Sequence, residues 1–218
     1  MHRCSSRREE GHGRARRRQV QVQVLACAVP PLDLPMPMHP PERLETERLI
    51  LRRAHLDDAP ALFQAYANDP QATRYLSWRT HESVNQTAEF LEGVDASWDS
   101  GQEHVWVLVP ADEAEPIGAV GATTDMHGVE IGYVLGRDFW GRGLMVEAVR
   151  AVLSWFAEQP SVYRVWAYCA VNHERSAQVL LRAGMTYEGT LRRWVLLPNI
   201  ADEPCDARVF SWIRTGTC

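Results

Sequence analysis

From Leu44 onward, apolar and polar positions fall into short segments with two alternating periods. Arg48-Leu49-Ile50-Leu51-Arg52 reads as a first strand. Asp57 and Asp58 then cap a helix that carries Leu62, Phe63 and Tyr66 and ends near Asn68. A second helix, from about His81 to Trp98, sets Val84, Ala88, Leu91, Val94 and Trp98 at helical spacing, and Gly101 stops it. Three strand-like runs follow: His104 to Val109, Pro116 to Ala122 and Val129 to Leu135. Asp112-Glu113-Ala114-Glu115 and Asp125-Met126-His127-Gly128 join them as turns, which predicts an antiparallel meander. Val146, Val149, Leu153 and Phe156 line a helix ending at Pro160, and Val162 to Ala170 is a fifth strand. Asn172 to Ala183 is a helix closed by Gly184, and the last strands are Met185 to Leu191 and Arg208 to Ile213. The pattern is α/β (α+β) with one mixed sheet, no internal repeat and no second domain.

Residues 1–41 do not share this pattern. Arg14 to Arg18 is a basic run and six prolines fall between Pro30 and Pro41, so a disordered Arg/Pro-rich extension or an over-long start is expected, with the domain over 42–218. Met36 or Met38 would make a natural start. Gln19, Gln21 and Gln23 interrupt the apolar core a secretory signal needs, and Glu9 and Glu10 count against a transit peptide.

Composition narrows the partners. The 23 basic residues are all arginine, so Schiff-base and lysine-nucleophile chemistry is excluded. Beyond residue 40, 16 arginines face 25 acids, a poor balance for nucleic acid and a better one for a cationic substrate. No apolar run approaches a membrane span. Five scattered cysteines without a CxxC pair suggest neither zinc nor a disulfide framework, and the histidines show no metal spacing. The expectation is a cytoplasmic protein, monomer or homodimer, with no metal, nucleic acid or membrane partner.

The chemistry concentrates in Asp138-Phe139-Trp140-Gly141-Arg142-Gly143-Leu144-Met145-Val146-Glu147-Ala148. A strand runs into two glycines at the mouth of an amphipathic helix. That layout presents bare N–H groups and the positive end of a helix dipole to a phosphate. Glycine allows both positive φ and close approach.

Four segments resemble the GNAT acetyltransferase superfamily, and within it the RimJ/RimL branch of ribosomal-protein alanine/serine N-acetyltransferases. Leu44-Glu45-Thr46-Glu47-Arg48-Leu49-Ile50-Leu51-Arg52 is similar to the branch's L-x-T-x-R-L-x-L-R. Phe139 to Ala148 is similar to its W-G-K-G-x-x-x-E-A. Asn172 to Met185 is similar to N-x-x-S-x-x-V-L-x-K-x-G-F, and Tyr187-Glu188-Gly189 to the x-x-E-G that follows. The resemblance implies a mostly antiparallel sheet of about seven strands flanked by about four helices, with a V-shaped split between strands four and five. It makes acetyl-CoA the phosphate ligand. Trp140, Gly141, Arg142, Gly143, Leu144, Met145 and Val146 would form the pyrophosphate cradle, with Arg142 either adding charge or pointing to solvent. Val134 and Leu135 would pair with the pantetheine arm through backbone groups. Asn172 would cap its helix and contact the cofactor.

Acetyl transfer to an amine needs a base, a polarised carbonyl and help for the leaving thiolate. Glu130 lies opposite in phase to Ile131 and is the candidate base; the competing reading is a strand carboxylate paired to an arginine. Ser176 is the candidate on the thiol side, near the sulfur in the branch; the competing reading is a helix serine bonding to backbone. Leu180 stands where many relatives carry a tyrosine acid. Tyr168 is either a donor or a half-buried aromatic, and Cys169 lacks a group to activate it. Acceptor specificity is expected from Tyr75 to His81, the first helices and the last hairpin, whose loop carries Asp202, Glu203 and Asp206. The acceptor would be a protein N-terminal Ala/Ser or a small amine such as an antibiotic, polyamine or amino acid. A non-catalytic acyl-CoA-binding module is the remote alternative.

Overall fold

The computed structural model describes residues 38–101 and 103–215. Of the extension predicted over residues 1–41, residues 1–37 lie outside the described residues, as do Cys4, Cys27 and Cys218, while residues 38–41 belong to the packed body. The packed body begins no later than Met38, which is buried in the main core, and Trp106 Nε1 donates to Pro41 O at 2.9 Å.

Eight strands form one sheet: β1 (Arg43–Glu45), β2 (Leu49–Arg53), β3 (Glu103–Pro110), β4 (Gly118–Asp125), β5 (Gly128–Leu135), β6 (Arg164–Ala170), β7 (Thr186–Val195) and β8 (Cys205–Ile213). Their order is β1-β2-β3-β4-β5-β6-β8-β7. This is one strand more than expected. The addition, β1, is an Arg-Leu-Glu edge too short and polar to show an apolar alternation. Among the described residues, four α-helices flank the sheet. α1 (Ala59–Leu62) runs on into a π-helical turn (Phe63–Ala67), and α2 (Val84–Ser100) ends at Gly101 in the left-handed region, φ 73°. α3 (Leu144–Glu158) and α4 (Glu174–Ala183) follow β5 and β6.

β3 is buried along nearly its whole length because both sheet faces are covered there. Val105, Val107 and Val109 meet Leu62, Tyr66, Leu91 and Val94 of the α1–α2 side. Trp106 and Leu108 belong to the larger core, which holds Val149, Val152 and Phe156 of α3 and Ala177 and Leu180 of α4.

His104 is 1% exposed, packs edge-on against Trp98, and has no hydrogen-bond partner on either ring nitrogen among the described residues. Burial, with smaller repulsion from His39 and Arg53, lowers its pKa to about 4 against a weaker opposing contribution from the Met38 backbone, which falls short of a hydrogen bond in geometry. His173 is lowered to about 4 by burial, then Arg175 and Arg208. In the unfolded chain both protonate near ~6.5. Between about pH 6.5 and 4 the unfolded state therefore binds more protons, and stability falls as pH drops through that window. Thermal unfolding should show Tm lower at pH 5 than at pH 7, with a smaller drop in His104→Phe. An equal drop in that variant would show that His104 is not a source of the acid sensitivity.

β5 and β6 are the one parallel pair among the described strands, crossing over through α3, and only Val129↔Val165 and Glu130↔Trp166 are in register. Beyond them β6 continues along β8 while, among the described residues, Ile131 to Leu135 of β5 has no strand on that side. This is the expected split, between the fourth and fifth strands as counted without β1.

Candidate active site

The glycine turn is built as its sequence suggests. Gly141 and Gly143 have φ of 77° and 79°, where a side chain is strained. Gly143 precedes α3, and Glu147 N–H is the first to return to the turn, bonding Gly143 O at 3.2 Å. The N–H groups of Arg142, Gly143, Leu144 and Met145 have no acceptor among the described residues, as expected of a helix N-terminus that receives an anion. Arg142 itself folds back: Nη2 donates to Asp138 O at 2.7 Å, and the guanidinium lies over Phe139. The cation on this rim that sequence reasoning misses is Arg175, stacked 4.8 Å over the Trp140 ring.

A distant motif braces the turn. Glu147 Oε1 accepts from Thr46 Oγ1 at 2.6 Å and from Arg48 N–H at 2.8 Å, while Arg48 Nη2 reaches Glu147 Oε2 at 2.6 Å. Arg48 Nη1 also donates to Arg142 O at 3.0 Å. Burial opposes the charge on Glu147, but the bonds from Thr46 and Arg48 outweigh it and hold the carboxyl below its usual range. The Thr46-x-Arg48 pair thus ties the edge of the sheet to the first turn of α3.

The split opens a cleft of about 850 Å³ that reaches both faces of the sheet. Register decides which backbone groups line it. Gly136 N–H bonds Ile117 O, and antiparallel pairs alternate, so the amides of Glu130, Gly132 and Val134 are directed at β4 and those of Ile131, Tyr133 and Leu135 at the gap. The strand-like pairing expected of Val134 therefore falls to its neighbours; Val134 contributes a side chain to the α1–α2 core. The Leu135 carbonyl is already held by Trp140 Nε1 at 2.8 Å, leaving its N–H. Trp140 is a wall of the cleft. A Cβ on Gly132 would meet nothing within 4 Å, so this point on the strand is open toward the cleft.

On the α4 face, Ser176 is 8% exposed and meets Tyr133 of β5: the phenol oxygen lies 2.8 Å from Ser176 Oγ and 3.0 Å from Ser176 O. Burial pushes the Tyr133 phenol up, and Ser176 only partly offsets it. Cys169 lies beside this pair on the cleft wall, its thiol raised by burial despite Arg208 and Ser176. Leu180 is fully buried, so no acid acts from its position. Asn172 is not the helix cap. The turn after β6 uses residues 171–173, with Val171 N–H on Asp206 O and His173 N–H on Ala170 O, which makes His173 the N-cap and leaves Asn172 exposed and off the cleft wall. His173 stacks on Tyr75 at 4.2 Å, joining α4 to the loop after α1.

On the opposite face lies Glu130, half-buried, with no arginine and no hydrogen bond among the described residues, contrary to the paired-carboxylate reading. Burial, then Asp125 and Glu103, raise its pKa. Glu103 stands two strands away in the same row, through Thr123, and burial raises it too. Burial and Glu130 raise the Tyr168 phenol. Trp78, His81 and Phe90 line this end. Asn199 holds its loop: Nδ2 donates to Trp78 O at 2.7 Å and Thr73 O at 2.9 Å, and Oδ1 accepts Thr80 N–H at 3.1 Å. The acids of the last loop are less free than expected. Glu203 pairs with Arg193, and Asp206 accepts Arg193 N–H. Among the described residues, no group of three His, Cys, Asp or Glu side chains is placed to hold a metal ion.

Known proteins resemble this chain in sequence and in fold. The pattern of the acetyltransferase (GNAT) domain matches residues 48–186. The chain is similar to the uncharacterized N-acetyltransferase YoaA of Bacillus subtilis strain 168, 30% identical over 78% of this chain and 96% of that one. It is similar to the ribosomal protein uS5-alanine N-acetyltransferase of Escherichia coli strain K12, 26% identical over 72% of this chain and 85% of that one. In fold it is similar to RimL, a ribosomal alpha-N-protein acetyltransferase solved in complex with coenzyme A. There the TM-score is 0.70 and the identity 22%, over 79% of this chain and 98% of that one.

Proposed function

The chain belongs to the GNAT acetyltransferase family, and from that premise we propose that it moves the acetyl group of acetyl-CoA to a primary amine by direct attack in a ternary complex. One observation carries this reading: a single cleft passes through the split sheet, with the glycine turn at one end, the unpaired Glu130 on one face and Ser176 on the other. The acceptor-free N–H groups of Arg142 to Met145 would hold the pyrophosphate, and the gap-facing amides of Ile131, Tyr133 and Leu135 the pantetheine arm. An amine entering from the α2 face gives a proton to Glu130 as its nitrogen bonds the acetyl carbon. The carbon–sulfur bond breaks with the electron pair on sulfur, beside Ser176. We place the enzyme in the cytoplasm.

The acceptor we favour is a protein N-terminal Ala or Ser, a reading supported by the names of two Escherichia coli relatives, a ribosomal protein uS5-alanine N-acetyltransferase and a ribosomal-protein-serine acetyltransferase. A small cationic amine is the second reading, supported by Glu103 and Glu130 sharing one row without a cation among the described residues. A CoA-release screen separates them. Ala- and Ser-starting peptides should turn over; release with polyamines or aminoglycosides and none with peptides would reject the N-terminal reading. Binding of acetyl-CoA without release on any amine would make the chain a binding module.

A further inference from the structure

We infer that Tyr133 is a positioning residue for the thiol side of the reaction, directing the Ser176 hydroxyl as a hydrogen-bond donor to the leaving sulfur. The inference rests on the proposed placement of the sulfur beside Ser176 and goes beyond it. A serine hydroxyl is far too weak an acid to give its proton outright to a thiolate, since a thiol such as that of cysteine has a pKa of only about 8.5. Ser176 can only help by donating a hydrogen bond that strengthens as negative charge develops.

Whether it does so depends on where its single proton points. Tyr133 oxygen lies within reach of both Ser176 Oγ and Ser176 O, at 2.8 and 3.0 Å. If the phenol donates to the carbonyl, its lone pair takes the serine proton. If it donates to Oγ, the serine proton is free for the cleft. Charge on sulfur selects the second arrangement, giving a chain from the Tyr133 O–H to Ser176 Oγ, and from the Ser176 O–H to sulfur. Each donor in such a chain polarises the next. Burial keeps Tyr133 protonated, so it serves as a donor throughout the working pH range. No phenolate forms. The electron pair of the broken carbon–sulfur bond stays on sulfur until water protonates it, and the amine proton leaves through the base.

Position explains why this residue and not another. Tyr133 has odd phase on β5, opposite Glu130, so its ring reaches the α4 face while the strand edge faces the gap. One turn beyond Ser176 on α4 stands Leu180, fully buried, and Glu174–Ala183 contains no tyrosine. The strand thus supplies a phenol where the helix has none.

The test needs no known acceptor. CoA bound to the purified enzyme is titrated by the ultraviolet absorbance of its thiolate, against the complex with desulfo-CoA to remove protein tyrosine and cysteine. Tyr133→Phe keeps the ring and loses only the hydroxyl. It should raise the bound thiol's pKa by about 1 unit, as Ser176→Ala should, and the double variant should go no further than Ser176→Ala. With an amine that turns over, Tyr133→Phe should lower kcat about 10-fold and leave KM for acetyl-CoA within about twofold. Ser176→Ala with normal thiol pKa and kcat would overturn the serine placement and this inference with it. A shift in Ser176→Ala but none in Tyr133→Phe, or effects that multiply in the double variant, would overturn the role of Tyr133 alone.

Discussion

Gly143→Val is expected to abolish measurable acetyl-CoA binding while the protein still folds. The backbone at Gly143 has φ 79°. A β-branched residue there is strained by about 1–3 kcal/mol, and relief means rotating the turn to negative φ. That rotation redirects the amides of Gly143 and Leu144, the first donors of α3 without an acceptor. Each hydrogen bond to a charged group contributes roughly 1.5–3 kcal/mol, so losing two weakens binding by about 10²-fold or more. Space alone is not the cause: a Cβ at this position meets only Arg48 Nη2, at 3.7 Å. Gly143→Ala should accordingly bind with intermediate affinity. Calorimetric titration with CoA gives the affinity, and thermal unfolding without ligand confirms the fold. Affinity retained in the valine variant would mean the phosphates lie elsewhere.

The turn is legible in the sequence because its parts are contiguous. A strand, two glycines and an apolar helix face can be read in one stretch, since each rests on local φ preference and periodicity. The meander is legible for the same reason, because short turns leave adjacent strands few ways to pair. Tyr133 is not. Its partner Ser176 is 43 residues away in the chain, and nothing in either residue's neighbours announces the other. Side-chain phase along β5 is the available signal: if Glu130 faces one side, Tyr133 faces the other.

Two expectations fail for related causes. Pairing Val134 with the cofactor needs its backbone direction, which follows from register, and register depends on which β4 residue stands opposite. Placing the cap at Asn172 supposes a strand running directly into a helix, whereas the turn after β6 is one residue longer. The Arg142 side chain, left open between the phosphates and solvent, lies exposed with its guanidinium on the carbonyl of Asp138. The bracing of Glu147 by Thr46 and Arg48 is the reverse case. The residues of the first motif are visible, but their purpose appears only once β2 lies beside the start of α3.

The geometry of the split explains how two groups on opposite faces of one sheet can serve one reaction. A continuous sheet separates its faces by a layer of backbone, and Glu130 and Ser176 would never address the same carbon. Ending the β5–β6 ladder after Glu130 removes that layer where the proposed chemistry occurs. Gly132, two positions further along the strand, keeps the opening free of a side chain.

Glu130→Gln tests the other side of that opening. The amide keeps the shape of the carboxylate and removes its proton affinity, so acetyl-CoA affinity should stay unchanged while kcat falls by about 10²–10⁴-fold. The pH profile gives the sharper result. Burial and the neighbouring Asp125 and Glu103 raise the Glu130 pKa, so the acid limb of kcat should lie above the usual glutamate range. Activity then rises with pH as the carboxyl loses its proton. In Glu103→Gln one repulsive neighbour is gone, and the limb should move to lower pH. In Glu130→Gln the limb should disappear from whatever activity remains. A Glu130→Gln enzyme with unchanged kcat and the same acid limb would show that the amine loses its proton elsewhere, and Glu103, in the same row and also raised by burial, would become the base to test.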